Sequence, residues 1–147
     1  IAAQSLTVIA HFAPQNLSNT AWAFAKLSFC NQPILDAIAG QFVRNISAAD
    51  RQGLANTVWA YATLVLLNAP LLAAISEEVI VKLSAFNPQH VANTAWAFAK
   101  LAWSDTPLME SISQAALAML LEFGTQGVVN IVWAYAKIGM TDSPFFA

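Results

Sequence analysis

Charge is scarce in this chain. Only 10% of its 147 residues are Asp, Glu, Lys or Arg, against about 25% in ordinary soluble domains. Six basic and eight acidic residues leave a net charge of −2, a balance that offers no basic footprint for a polyanion. Cysteine is nearly absent. Cys30 stands alone, which excludes an internal disulfide framework and a multi-cysteine metal set; it reads as a small apolar turn residue. The two histidines, His11 and His90, occupy unrelated positions with no recurring carboxylate or cysteine beside them, so no metal ion and no cofactor are expected. Ser, Cys and His form no recurring triad-like pattern, and the chain does not read as an enzyme. Glu77 and Glu78 are neighbours pointing to different faces of one helix and read as solvated. Nor is there a run of about 20 apolar residues, the length a spanning helix needs. Pro, Asn, Gln or Asp interrupts each apolar stretch sooner, so no membrane insertion is expected.

Apolar residues dominate instead, at 58%. That is ample to offset chain entropy and excludes disorder. The sequence opens on Ile1 and shows no signal or transit peptide. Both ends fall inside an internal repeat, so residues 1–147 read as a single segment of a longer repeat array.

The repeat is found by counting. Trp22, Trp59, Trp96 and Trp133 are each 37 apart; only Trp103 stands outside the series. The same interval separates Asn19, Asn56, Asn93 and Asn130. It also separates Gln15, Gln52, Gln89 and Gln126, and Pro33, Pro70, Pro107 and Pro144. The shared core is Asn-x-x-Trp-Ala-Phe/Tyr-Ala-x-Leu/Ile.

Each unit predicts two helices. The first opens at the proline, where a missing N–H costs nothing, and runs for example from 33 to 46. Ile34, Leu35, Ile38, Phe42 and Ile46 fall at spacings of three and four, the mark of an amphipathic helix. Leu71, Leu72, Ile75, Val79 and Leu83 repeat the pattern. Asn31, Asn68, Asp105 and Asp142 stand two residues before the prolines, in a turn-favouring place. The second helix is expected over 14–27, 51–64, 88–101 and 125–138. Asp50 and Asn87 suit its N-cap, and Phe12 with Leu17, Phe86 with Val91 and Phe123 with Val128 suit a hydrophobic staple. This helix is apolar nearly all round, which places it as an inner layer buried on several sides. Ala21, Ala23 and Ala25 allow close approach. No unit buries this surface alone. The fold expected is all-α, an α-solenoid (superhelix) of four 37-residue helix-turn-helix repeats, stacked right-handed.

Phe86 to Leu101 reads Phe-Asn-Pro-Gln-His-Val-Ala-Asn-Thr-Ala-Trp-Ala-Phe-Ala-Lys-Leu. This core, recurring along the whole chain, resembles the octotricopeptide repeat and the helical repeats that precede RAP domains in organelle proteins. The resemblance implies paired helices, binding of single-stranded RNA in a chloroplast or mitochondrion, and a role in RNA processing, stability or translation there.

Lys26, Lys100 and Lys137, with Thr63 in the second unit, share one repeat position. Stacked units align them in a column that can track a phosphate backbone; the plainer reading is cations at a helix C-terminus. The position holding Asn16, Gly53, His90 and Gly127 varies between units, as a base-reading position should, with Gln15, Gln52, Gln89 and Gln126 in support. Its plainer reading is capping chemistry. Asn19, Asn56, Asn93 and Asn130 can read base edges, and Trp22, Trp59, Trp96 and Trp133 can stack on bases. A residue identical in every unit cannot tell one base from another, however. These eight are therefore read as structural core, each amide or indole bonded internally, and Trp96→Ala should cost about 3–5 kcal/mol. The alternative function is a protein–protein interaction scaffold, an accessory subunit of a large organelle assembly, suggested by the acidic balance and the apolar surface.

Overall fold

The computed structural model describes residues 2–146. It contains eight α-helices and, among the described residues, no strand: α1 Ala2–Ile9, α2 Pro14–Lys26, α3 Gln32–Arg44, α4 Arg51–Thr63, α5 Ala69–Lys82, α6 Pro88–Lys100, α7 Thr106–Ala118 and α8 Thr125–Ile138. Short 3-10 turns follow α3, α5 and α7, and another covers Pro144–Phe146. No helix among the described residues is long and apolar enough to cross a membrane.

Side chains at the caps set the helix starts. Asn31, Asn68 and Asp105 accept the backbone N–H groups of Ile34, Leu71 and Leu108 at 3.2, 3.0 and 3.0 Å. These helices therefore begin one residue before the proline, at Gln32, Ala69 and Thr106. The sequence reading began them at the proline itself. The second helical N–H is unpaired in any helix, so proline is equally free of cost there. Asp50 and Asn87 cap α4 and α6 by accepting from Gly53 and His90 at 2.7 and 2.9 Å.

The ends of α2, α4, α6 and α8 share one device. Ser28, Val65, Ala102 and Gly139 have φ of 52°, 56°, 53° and 75°. The N–H after each reaches back to Phe24, Tyr61, Phe98 and Tyr135 carbonyls at 2.8–3.0 Å. This is the Schellman closure, which glycine fits best. Val65 carries a β-branched side chain into that left-handed region and is 68% exposed, so its strain is not offset by packing. Val65→Gly is expected to raise stability by about 1 kcal/mol, read as a Tm increase of roughly 2–4 °C.

Two layers result. Helices α2, α4, α6 and α8 pack side by side along their lengths; α1, α3, α5 and α7 line up beside them with sparser contact. The difference follows from side-chain size. Ala25, Ala60, Ala62, Ala95, Ala97, Ala99 and Ala134 are all buried in the tighter layer. Between the layers lie Leu35, Ile38, Phe42, Leu54, Leu72, Ile75, Val91, Leu108 and Ile112, fully enclosed. Tyr61, Phe98 and Tyr135 join Phe42 as the large fully buried aromatics of this core. The Tyr61 hydroxyl donates to the Leu35 carbonyl and the Tyr135 hydroxyl to that of Met109. Burial, with Asp36 nearby, pushes the Tyr61 phenol well above its ordinary range.

Polar ties join successive units of the looser layer. Ser76 Oγ donates to Asp105 Oδ2 at 2.5 Å, and Ser113 and Ser143 hydroxyls meet at 2.6 Å. Lys82 Nζ donates to the Ser47 and Ala49 carbonyls at 2.8 and 2.6 Å and pairs with Glu78 at 2.8 Å. Lys82 is thus occupied by structure.

Candidate nucleic-acid interface

The two central helices of the tighter layer, α4 and α6, leave essentially one row facing solvent. On α4 the only residues not buried are Arg51, Gln52, Asn56, Trp59 and Thr63. On α6 they are Gln89, Asn93, Trp96 and Lys100, with Pro88 and His90 at the first turn. Spacings of four, three and four put Gln, Asn, Trp and Lys or Thr on one stripe of a 3.6-residue helix. The same stripe is Gln15, Asn19, Trp22, Lys26 on α2 and Gln126, Asn130, Trp133, Lys137 on α8. Four parallel rows of like chemistry lie side by side.

Full burial does not hold for Trp22 and Trp133, nor an internal loop bond for the asparagines, while Trp59 and Trp96 keep part of the expected core contact. Trp22 and Trp133 are each 41% exposed; Trp59 and Trp96 are half-buried and only rest against the core. The reason is geometric. Two residues on, the Phe or Tyr lies about 200° round the helix and takes the interior. The asparagines bond no loop carbonyl: Asn130 accepts from Gln126 Nε2 at 2.9 Å, and Asn19, Asn56 and Asn93 make no side-chain hydrogen bond to the protein.

The lysines sit on the tryptophans. Lys26 Nζ is 5.3 Å from the Trp22 ring centre and 5.7 Å from that of Trp59, so it bridges two rows. Lys100 Nζ lies 4.7 Å over Trp96, and the Trp96 and Trp133 rings are 6.4 Å apart. Such contacts are worth about 0.5–1 kcal/mol at exposed sites. No carboxylate pairs with these lysines. In the second row the Thr63 hydroxyl is enclosed with no partner, leaving a gap in the cation column.

Charge is segregated between the layers. Lys26, Arg51, Lys100 and Lys137 lie on α2, α4, α6 and α8, and none of the eight carboxylates does. Asp36, Asp50, Glu77, Glu78, Asp105, Glu110, Glu122 and Asp142 all fall in the other layer or in turns. The net charge of −2 therefore conceals an uneven distribution, with four of the six cations on these helices. Between α6 and α8 a groove of about 420 Å³ is lined by Gln89, Asn93, Gln126 and Asn130, with Glu122 and Phe123 at its rim.

Gly127 of the variable position lines this groove too, while Asn16 and His90 are engaged at their helix starts. Asn16 Oδ1 accepts the Ala13 N–H at 3.2 Å, and His90 Nδ1 accepts the Asn87 N–H at 3.4 Å. Both complete capping boxes. A Cβ on Gly53 would press on Asp50 Oδ1 at 3.2 Å, and one on Gly127 on Phe123 at 2.7 Å. The position varies with the cap it serves.

Burial, then the Arg51 charge, lowers the His90 pKa, with Asp50 acting in the opposite sense. The unfolded chain protonates first as pH falls below about 6.5. The His90 contribution is thus whole above that pH and fades as pH drops through the lowered folded value. A Tm falling between pH 7.5 and 5, with a shallower fall in His90→Asn, is the expected outcome of thermal melts.

In comparisons with known proteins, no family model matches the chain and no curated protein matches its sequence.

Proposed function

We propose that these rows form the RNA-binding surface of an α-solenoid of four 37-residue helix pairs. The observation that carries this reading is the row of solvent-reached Gln, Asn, Trp and Lys or Thr on α2, α4, α6 and α8, four helices that themselves carry no carboxylate. Aromatic faces offer stacking to unpaired bases, and the column of cations follows a phosphate backbone. The tighter packing of this layer makes it the inner surface of the superhelix, where solenoids hold extended ligands. The resemblance to octotricopeptide repeats points the same way: a chloroplast or mitochondrial factor in RNA processing, stability or translation, working as a binding module without catalysis, in a longer array. A protein–protein scaffold is the second reading, favoured by Leu27, Phe29, Val65 and Leu67, all more than half exposed at the ends of α2 and α4.

The test is a titration against a random-sequence single-stranded RNA pool across a salt series. With three or four phosphates neutralised, log K should fall against log salt with a slope of about −2 to −3. Changing Lys26, Lys100 and Lys137 to Glu should abolish binding. Absence of binding at low salt would leave the scaffold reading in its place.

A further inference from the structure

We infer that the four rows select a run of one base rather than a mixed sequence. This rests on the single-stranded RNA reading above. Its own observation is the sameness of the rows. Gln, Asn and Trp are identical in all four, and only the last position changes, to Thr63 in the second. The position that does vary, at Asn16 and His90, is withdrawn into capping. Helical-repeat proteins of this kind read one base per unit with two or three side chains. Here those side chains are the same each time, so equal readers at equal spacing select equal bases. Identity across units, which argued against reading at all, instead specifies a homopolymer tract.

A carboxamide sets an N–H donor beside a carbonyl acceptor, and an unstacked base offers its Watson–Crick edge to that pair. The same pair repeated in every row favours the same base in each. Asn19, Asn56 and Asn93 are unengaged and half-buried or exposed. Asn130 is held by Gln126, so the fourth row is the weakest reader.

Fluorescence anisotropy with labelled oligonucleotides of A, C, G, U and mixed sequence, each about twelve nucleotides long and at one salt concentration, decides the matter. One tract should bind at least about tenfold tighter than the other three and than the mixed sequence. Asn56→Ala with Asn93→Ala should erase that preference while keeping the salt slope and the circular dichroism spectrum. Equal affinity for the four tracts, or tighter binding of the mixed sequence, would overturn this inference and leave the RNA reading standing. Binding of none would remove the RNA reading itself.

Discussion

Replacing Phe98 with Ala is expected to lower the unfolding free energy by about 3–5 kcal/mol, while Trp96→Ala, two residues away, costs no more than about half of that. Trp is the larger side chain, so size alone predicts the reverse order. Burial decides it. Phe98 is fully enclosed between the layers, and its removal leaves a cavity that a close-packed core cannot close without moving backbone. Trp96 presents one face to solvent and to Lys100, so truncation forfeits only the area that rests on the core. Urea unfolding followed by circular dichroism measures both. A Trp96→Ala loss equal to that of Phe98→Ala would return the tryptophans to the core.

Trp59→Ala with Trp96→Ala is expected to weaken single-stranded RNA binding by about 30-fold or more with helix content kept. Stacking of a base on an aromatic side chain is worth roughly 1–3 kcal/mol, and two such contacts at the low end give that factor. These two rows are central, so both rings are reached by any RNA crossing the face. Each change also removes the platform beneath a cation, since Lys26 rests on Trp59 and Lys100 on Trp96. Binding measured by anisotropy that stays within threefold of the parent would place the RNA elsewhere.

Much of the fold was legible because its punctuation recurs. Asn or Asp two residues before a proline, and Asp50 and Asn87 before the inner helices, mark starts that the caps then make. Less was legible where one residue type hides another's role. Three of the four left-handed helix ends hold Ser28, Val65 and Ala102; glycine signals the device only at Gly139. The site was half visible. Asn19, Trp22 and Lys26 share a stripe by spacing alone, but recurrence of a large aromatic suits packing equally well. The deciding signal was the second aromatic two residues on, in Phe24, Tyr61, Phe98 and Tyr135: one helix cannot bury both. The charge pattern, too, shows only when counted helix by helix, because the carboxylates of the other layer cancel it in the total.

Acrylamide quenching of tryptophan fluorescence, with and without saturating RNA, tests the central claim most directly, in a Trp103→Phe background so that only the four row tryptophans report. The account predicts ready quenching in the free protein and strong protection once RNA is bound. Emission that resists acrylamide in the free protein, or quenching that saturating RNA leaves unchanged, would contradict it.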